Sequence, residues 1–248
     1  MDLNAFFTEN PSGALAFSGG TDSSLLVWAA ARWGKDWHAY YVHSAFQPAF
    51  ELEDAKKIAA RCGLPLTVLE ADVLSRPEVA ANPPDRCYHC KRAVFSLILE
   101  RAAADGYSLL IDGTNASDDA GDRPGMRALR ELCVRSPLRE CRLTKQNVRS
   151  LSRDAGLFTW DKPSYACLAT RIPSGTAITD DALRRIEAGE NLLFAMGYRD
   201  FRIRLRGGTA VLQLPQEQQM RALADRAALL RELSPLFPLV ALDLKSRN

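Results

Sequence analysis

The sequence predicts an α/β protein: a parallel sheet covered by helices on both faces, followed by a small α+β appendage. Three observations carry this. Short apolar runs alternate with amphipathic segments through the first 174 residues. Glycine closes several of the amphipathic segments, as expected at helix C-termini. After Pro173-Ser174-Gly175 the pattern changes to helix, two short strands, helix and strand. Alternating strands and helices at this spacing indicate βαβ units, whose strands are buried on both faces.

Taken in order, Ala14 to Phe17 is the first strand, and Ser18 to Ser24 is a glycine- and hydroxyl-rich turn. Leu25 to Trp33 reads as a helix closed by Gly34, and Trp37 to His43 as the second strand. From Phe50 to Cys62, the residues Leu52, Ala55, Ile58, Ala59 and Cys62 recur at helical spacing, and Gly63 stops them. Leu64 to Leu69 is a third strand, Lys91 to Ala104 a helix, and Leu109 to Ile111 a fourth strand before Asp112-Gly113. Val134 to Leu138 reads as a fifth, edge strand, and Thr144 caps a helix running to Ala155. Residues 1–174 are therefore expected to form one domain. Residues 175–248 form the second, with a helix from Asp180 to Met196, strands 201–205 and 210–214, a helix from Gln216 to Leu233 and a strand 239–244. About seventy residues bury little core alone, so the appendage is expected to lean on the first domain.

Composition narrows the function classes. With 47% hydrophobic and 25% charged residues the chain can bury a core, which excludes disorder as its main state. No run of eighteen apolar residues exists, so no membrane span is expected. Met1 to Pro11 shows no export signal, which leads us to expect a cytoplasmic location. A net charge of +2 argues against a bulk nucleic-acid binder, which needs a strongly positive face. Six cysteines in a cytoplasmic chain point to metal or catalytic work rather than disulfides.

The turn Ser18-Gly19-Gly20-Thr21-Asp22-Ser23-Ser24 is the most informative segment. Glycines after a buried strand allow a sharp turn and close approach to a ligand. The following helix offers unpaired N–H groups and about half a positive charge, which together attract an anion. The hydroxyls add donors, and Asp22 is suited to orient Mg²⁺ on phosphates. An ordinary turn with a helix cap is the plain alternative. No Walker lysine follows the glycines and no G-x-G-x-x-G is present, so neither a P-loop kinase nor an NAD site is implied.

Cys87-Tyr88-His89-Cys90 places two thiols within one helical turn, so that both can face one metal. A zinc site would need two further ligands, and no second C-x-x-C exists. With Cys167 the set becomes three thiols, which suits an iron–sulfur cluster having one iron without a protein ligand. Cys167 alone reads equally as a small buried hydrophobe. Cys62, Cys133 and Cys141 have no partners at metal spacing and are read as structural. Arg202 and Arg204 alternate with Ile203 and Leu205, so their side chains share one strand face and are suited to a phosphate or carboxylate. A solvated strand face is the plain alternative. Lys91 and Arg171 flank the thiols, Glu187 and Glu190 share a helix face, and Asp118 and Asp119 follow the fourth strand, near the carboxyl ends where α/β sheets bind ligands.

The loop resembles the PP-loop of the ATP pyrophosphatases, Rossmann-like enzymes that cleave ATP between its α and β phosphates. The whole set of motifs resembles the LarE family of ATP-dependent sulfur transferases. The resemblance runs through Arg86-Cys87-Tyr88-His89-Cys90-Lys91, Asp112-Gly113-Thr114-Asn115, Asp122-Arg123-Pro124-Gly125, Ser136-Pro137-Leu138, Leu143-Thr144-Lys145 and Lys162-Pro163-Ser164. It ends with Ala166-Cys167-Leu168-Ala169-Thr170-Arg171-Ile172-Pro173 and Arg202-Ile203-Arg204.

That family implies a cytoplasmic enzyme that adenylates a carboxylate of pyridinium-3,5-biscarboxylic acid mononucleotide and converts it to a thiocarboxylate for a nickel-pincer nucleotide. It implies ATP and Mg²⁺ on Ser18, Gly19, Gly20, Thr21, Asp22, Ser23, Ser24 and Gly113. It implies the mononucleotide held by Lys91, Arg171, Arg202, Arg204, Glu190 and Asp118, with Cys167 catalytic. Three cysteines, Cys87, Cys90 and Cys167, imply the [4Fe–4S] type. With Cys167 alone, the family sacrifices the cysteine sulfur. A homo-oligomer is expected, although only about ten residues precede the first strand, where the family has a longer helix. An ammonia-dependent PP-loop amide ligase, a tRNA thiolase and a non-catalytic ATP binder are the competing readings.

Overall fold

In the computed structural model, residues 2–118 and 124–247 are described. The chain divides into two compact units, Met1–Val73 with Asp85–Tyr165, and Leu74–Pro84 with Ala166–Asn248. Asp119, Asp122 and Arg123, named in the sequence reading, lie outside the described residues.

The first unit is built on a four-stranded sheet of β1 (Ser12–Ala16), β2 (Asp36–His43), β3 (Leu66–Glu70) and β4 (Leu110–Ile111), in the order β3-β2-β1-β4. All three pairings are parallel, with Leu15 opposite Ala39, Ala39 opposite Leu66 and Ala14 opposite Leu110. The expected α/β parallel-sheet architecture is thus observed. Strand order reverses at β1, so its carboxyl end is the switch point where such sheets bind ligands.

Successive strand residues serve opposite faces, as the pleat requires. Leu15, Ala39 and Tyr41 pack with α1 (Leu3–Glu9), α2 (Thr21–Trp33) and α3 (Ala49–Cys62). Ala14, Tyr40 and Val42 pack instead with Phe95, Ile98 and Ala102 of the long helix after β3 and with Leu129. Helix α1 was not anticipated from the sequence. Asp2 caps it by accepting the Ala5 N–H at 2.8 Å, and Leu3, Phe6 and Phe7 go into the core.

Between β3 and β4 come α4 (Pro77–Ala80) and α5 (Arg86–Ala104). The latter begins five residues before the expected Lys91, which brings Cys87 and Cys90 into its first turns. After β4 follow α6 (Pro124–Glu131), α7 (Pro137–Glu140) and α8 (Lys145–Asp154). The expected edge strand at 134–138 is corrected. Only Arg135 bridges to Ile111, because Pro137, which has no N–H to give a ladder, starts α7. Thr144 caps α8 as expected, in a reciprocal box with Asn147.

In the second unit, a 3₁₀ turn at Leu168–Arg171 precedes α9 (Asp180–Ala195). Strands β5 (Arg202–Arg206) and β6 (Thr209–Gln213) form a hairpin, and β7 (Leu239–Leu242) joins β6 in parallel. Gly207 and Gly208, with φ of 52° and 87°, make the two-residue turn that only such residues adopt cheaply. The single helix expected at 216–233 is two, α10 (Gln216–Ala224) and α11 (Arg226–Leu233). Asp225 interrupts them, accepting from the Tyr198 hydroxyl at 2.9 Å and from Arg221 at 3.2 Å. Residues 74–84 belong to this unit through Asn82, whose amide donates to the carbonyls of Pro173 at 2.8 Å and Thr176 at 3.1 Å.

Gly189 on α9 is pressed against the hairpin: a Cβ there would stand 2.8 Å from both Ile203 Cδ1 and Phe237 Cε2. Glycine to alanine in a helix ordinarily stabilises by about 0.5–1 kcal/mol. Gly189→Ala should do the reverse, lowering stability in urea unfolding by about 1–3 kcal/mol through overpacking. An unchanged or higher midpoint would refute this packing.

Candidate active site

The turn after β1 is shaped by two glycines. Gly19 has φ +73°, and a Cβ on it would lie 2.5 Å from the Glu51 carbonyl oxygen of α3. Gly20 is the N-cap of α2 and supplies no side-chain bond, so the first amides of the helix keep their donors for a ligand. Ser18 and Ser23 hydroxyls stand 3.0 Å apart across the turn, and Ser23 Oγ also accepts the Ser18 N–H at 3.3 Å. The Thr21 hydroxyl donates to the Thr159 carbonyl at 2.7 Å. Ser24 is fully buried and its hydroxyl has no hydrogen-bond partner among the described residues. Gly113 lies beside α2, where a Cβ would meet the Ser23 nitrogen at 3.0 Å.

Three residues outside the loop complete its surroundings. Asp22 accepts from Asn115 Nδ2 at 3.1 Å and from Lys145 Nζ at 2.5 Å. Lys162 Nζ donates to Asp54 at 2.7 Å and to the Gly19 carbonyl at 3.3 Å, above the Phe50 ring. Lys145 and Lys162 fall within the Leu143-Thr144-Lys145 and Lys162-Pro163-Ser164 motifs, which assign them no role. They lie 123 and 143 positions from their loop partners, and only their place in short Thr-Lys and Lys-Pro motifs hints at them. Asp118 spends its carboxylate on the Asn115 N–H at 2.8 Å and so shapes the turn after β4.

On α5, Cys87 is exposed and Cys90 half-buried, three positions apart on one helix face. Arg86 donates to Cys87 Sγ at 3.5 Å. Lys91 lays its stem over Gly125, where a Cβ would crowd Cδ at 3.1 Å. The α5 pair has the donor chemistry of a cluster ligand set, and the third thiol, Cys167, belongs to the other unit. Among the described residues, no group of three or more His, Cys, Asp and Glu side chains is gathered as a metal site. Burial pushes the thiols of Cys62 and Cys141 up, as befits structural residues, whereas Cys133 is exposed with φ +54°.

In the second unit, Cys167 is half-buried and caps the 3₁₀ turn. Its carbonyl accepts the Thr170 N–H at 2.9 Å and the Thr170 hydroxyl at 2.8 Å. Arg171 and Glu190 are essentially fully buried, not displayed to solvent. The guanidinium grips the carboxylate in fork geometry, Nε to Oε1 at 2.9 Å and Nη2 to Oε2 at 3.0 Å. Its Nη1 donates to the Ala166 carbonyl at 2.5 Å, and Glu190 Oε1 also accepts the Ile203 N–H at 3.0 Å. This pair ties the cysteine turn to α9 and β5.

Arg202 and Arg204 share a face of β5, as alternation requires, and both are half-buried. Arg204 donates to the Thr170 carbonyl and to Gln213. Burial, then the charges of Arg247, Arg171 and Arg204, pushes Arg202 down to about 10, and Arg204 is lowered for the same reasons. Arg171 is held by Glu190 and Arg247 by Asp200, and guanidiniums gathered this closely suit an anionic ligand.

A parallel α/β sheet whose first strand delivers a glycine turn and an uncapped helix N-terminus has the anion-binding geometry expected of an ATP-using enzyme of the PP-loop type. Comparison with known proteins narrows the class. No family model matches the sequence. The chain is 36% identical to the uncharacterized protein slr1717 of Synechocystis, over 90% of this chain and 84% of that one. It is 31% identical to the pyridinium-3,5-bisthiocarboxylic acid mononucleotide synthase of Lactiplantibacillus plantarum, over 93% of this chain and 84% of that enzyme. A tRNA(Ile)-lysidine synthase of Polaromonas naphthalenivorans is 29% identical over 47% of this chain and 36% of its own length. The chain belongs to the LarE family. No helix among the described residues is long and apolar enough to cross a membrane.

The arginine cluster makes a direct prediction. Sulfate at ten times its Kd should raise the melting temperature by about 3–6 °C. Arg202→Gln should remove at least half of that gain while leaving the melting temperature without sulfate unchanged or higher. An undiminished gain would show that β5 holds no anion.

Proposed function

We propose that this chain is an ATP-dependent sulfur transferase that makes a thiocarboxylate on a pyridinium mononucleotide for a nickel-pincer cofactor. The similarity to the Lactiplantibacillus plantarum synthase across nearly the whole chain carries this reading. The substrate carboxylate oxygen attacks the α-phosphorus of ATP, and pyrophosphate leaves with the bonding electrons. The turn 18–23, with the α2 amides, binds the departing pyrophosphate, and Asp22 directs Mg²⁺ to it. A sulfur nucleophile then attacks the activated carbonyl, AMP leaves, and a C–S bond replaces the C–O bond.

Lys91, Arg202 and Arg204 hold the anionic groups of the mononucleotide. Arg171 and Glu190, buried against each other, act as positioning residues for the Cys167 turn. Removing one partner of such a pair leaves a buried charge, at a cost of about 3–5 kcal/mol. When bound by Cys87, Cys90 and Cys167, a [4Fe–4S] cluster would supply sulfide without consuming protein sulfur. Asp118, turned to the Asn115 N–H, shapes the floor of the nucleotide site.

Protein purified without oxygen and assayed for iron, acid-labile sulfide and thiocarboxylate formation tests this. We expect about four irons per chain, lost in Cys87→Ala and Cys90→Ala, and no sulfur transfer by Cys167→Ala. An iron-free wild type with full, repeated turnover would overturn the cluster assignment. A single turnover accompanied by loss of H₂S from Cys167 would replace it with sacrifice of that cysteine. Sulfur transfer retained by Cys167→Ala would overturn both routes.

A further inference from the structure

Asp22 sits in the first turn of α2, at the mouth where a polyphosphate must bind. A carboxylate there repels the ligand unless a cation neutralises it. Both its oxygens are already engaged: Asn115 Nδ2 donates to Oδ1 at 3.1 Å, and Lys145 Nζ to Oδ2 at 2.5 Å. Each oxygen keeps a second lone pair, but an ammonium and a divalent cation on one carboxylate repel each other, so metal binding at Asp22 favours movement of the ammonium away.

The backbone of Lys145 is pinned. It is the first residue of α8, its N–H donates to Ser117 Oγ at 2.9 Å, and the Thr144–Asn147 box fixes the turn before it. Motion is therefore left to the four-carbon stem. The side chains of Lys145 and Asp22 keep 30% and 22% of their surface exposed, so water and ions reach the pair.

We propose that Lys145 is an exchangeable counter-ion. In the nucleotide-free chain it neutralises Asp22. When a metal–polyphosphate arrives, Asp22 passes to the divalent cation and the ammonium turns onto a phosphate oxygen. The loop thus gains from position 145 the lysine that its own sequence lacks. Positive charge stays next to Asp22 throughout, and no covalent bond changes. This inference rests on the ATP-site reading above and adds a residue to it.

The test measures binding without turnover. Mn²⁺ binding to the nucleotide-free protein is followed by electron paramagnetic resonance, and α,β-methylene-ATP binding by calorimetry with and without metal. Lys145→Met should bind Mn²⁺ about fivefold more tightly, as expected for release of a half-exposed ion pair. It should bind the ATP analogue without metal about tenfold more weakly, an effect that Lys145→Arg largely reverses. Asp22→Asn should abolish the tighter Mn²⁺ binding in the Lys145→Met background. Unchanged or weaker Mn²⁺ binding by Lys145→Met would overturn the exchange. So would a parallel fall of Mn²⁺ affinity, analogue affinity and melting temperature, which marks a purely structural lysine. If the wild type fails to bind the analogue with metal present, the ATP-site reading itself falls, and the two failures are told apart.

Discussion

The nucleotide end of the molecule depends on how closely the turn after β1 approaches α3. Gly19 takes a left-handed conformation, and the space where a side chain would begin is filled by the Glu51 carbonyl. That approach fixes where the backbone turns and leaves the first turn of α2 without a side-chain cap. The groups that then converge on the turn come from distant sequence. Asn115 and Lys145 reach Asp22, and Lys162 reaches the Gly19 carbonyl. A bulkier residue at position 19 would disturb all of these contacts together, because none of the partners holds the turn by itself.

The second unit solves a different problem. Cys167 stands on a short irregular segment, and the Arg171–Glu190 pair fixes that backbone through the Ala166 carbonyl. Burying two charges is expensive, and the fork geometry with added bonds to Ala166 and Ile203 is what makes the arrangement tenable. The guanidiniums on β5 are lowered by burial and by the arginines close around them, which suits that face to an anionic ligand. Arg171 is buried against Glu190, whereas Arg202 and Arg204 are half-buried on one face of β5.

Periodicity made most of the fold legible, because buried strands and amphipathic helices leave direct traces. The four parallel strands, and the helix and three strands of the last seventy residues, were readable in this way. Three features were not. Helix α1 is too short for periodicity to reveal, and its stability comes from Phe6 and Phe7 packing on the sheet. The segment at 134–138 has apolar residues suited to a strand, but Pro137 ends the pairing after one bridge. The break at Asp225 follows from a tertiary bond to Tyr198 that no local pattern announces. In the site, the glycine turn was legible because its chemistry is contiguous. Lys145 and Lys162 were not, since isolated lysines acquire meaning only when the fold brings them to the loop. Arg171 stood out beside Cys167 and Glu190 on a helix face with Glu187, yet their burial against each other could not be read from spacing.

Hydrogen exchange at the amides of residues 18–24, with and without magnesium pyrophosphate, tests the central claim most directly. The account predicts that added protection concentrates in this segment, with a smaller gain near Asn115 and Lys145. Protection elsewhere in the chain, with the turn exchanging as fast as in the unliganded protein, would contradict it.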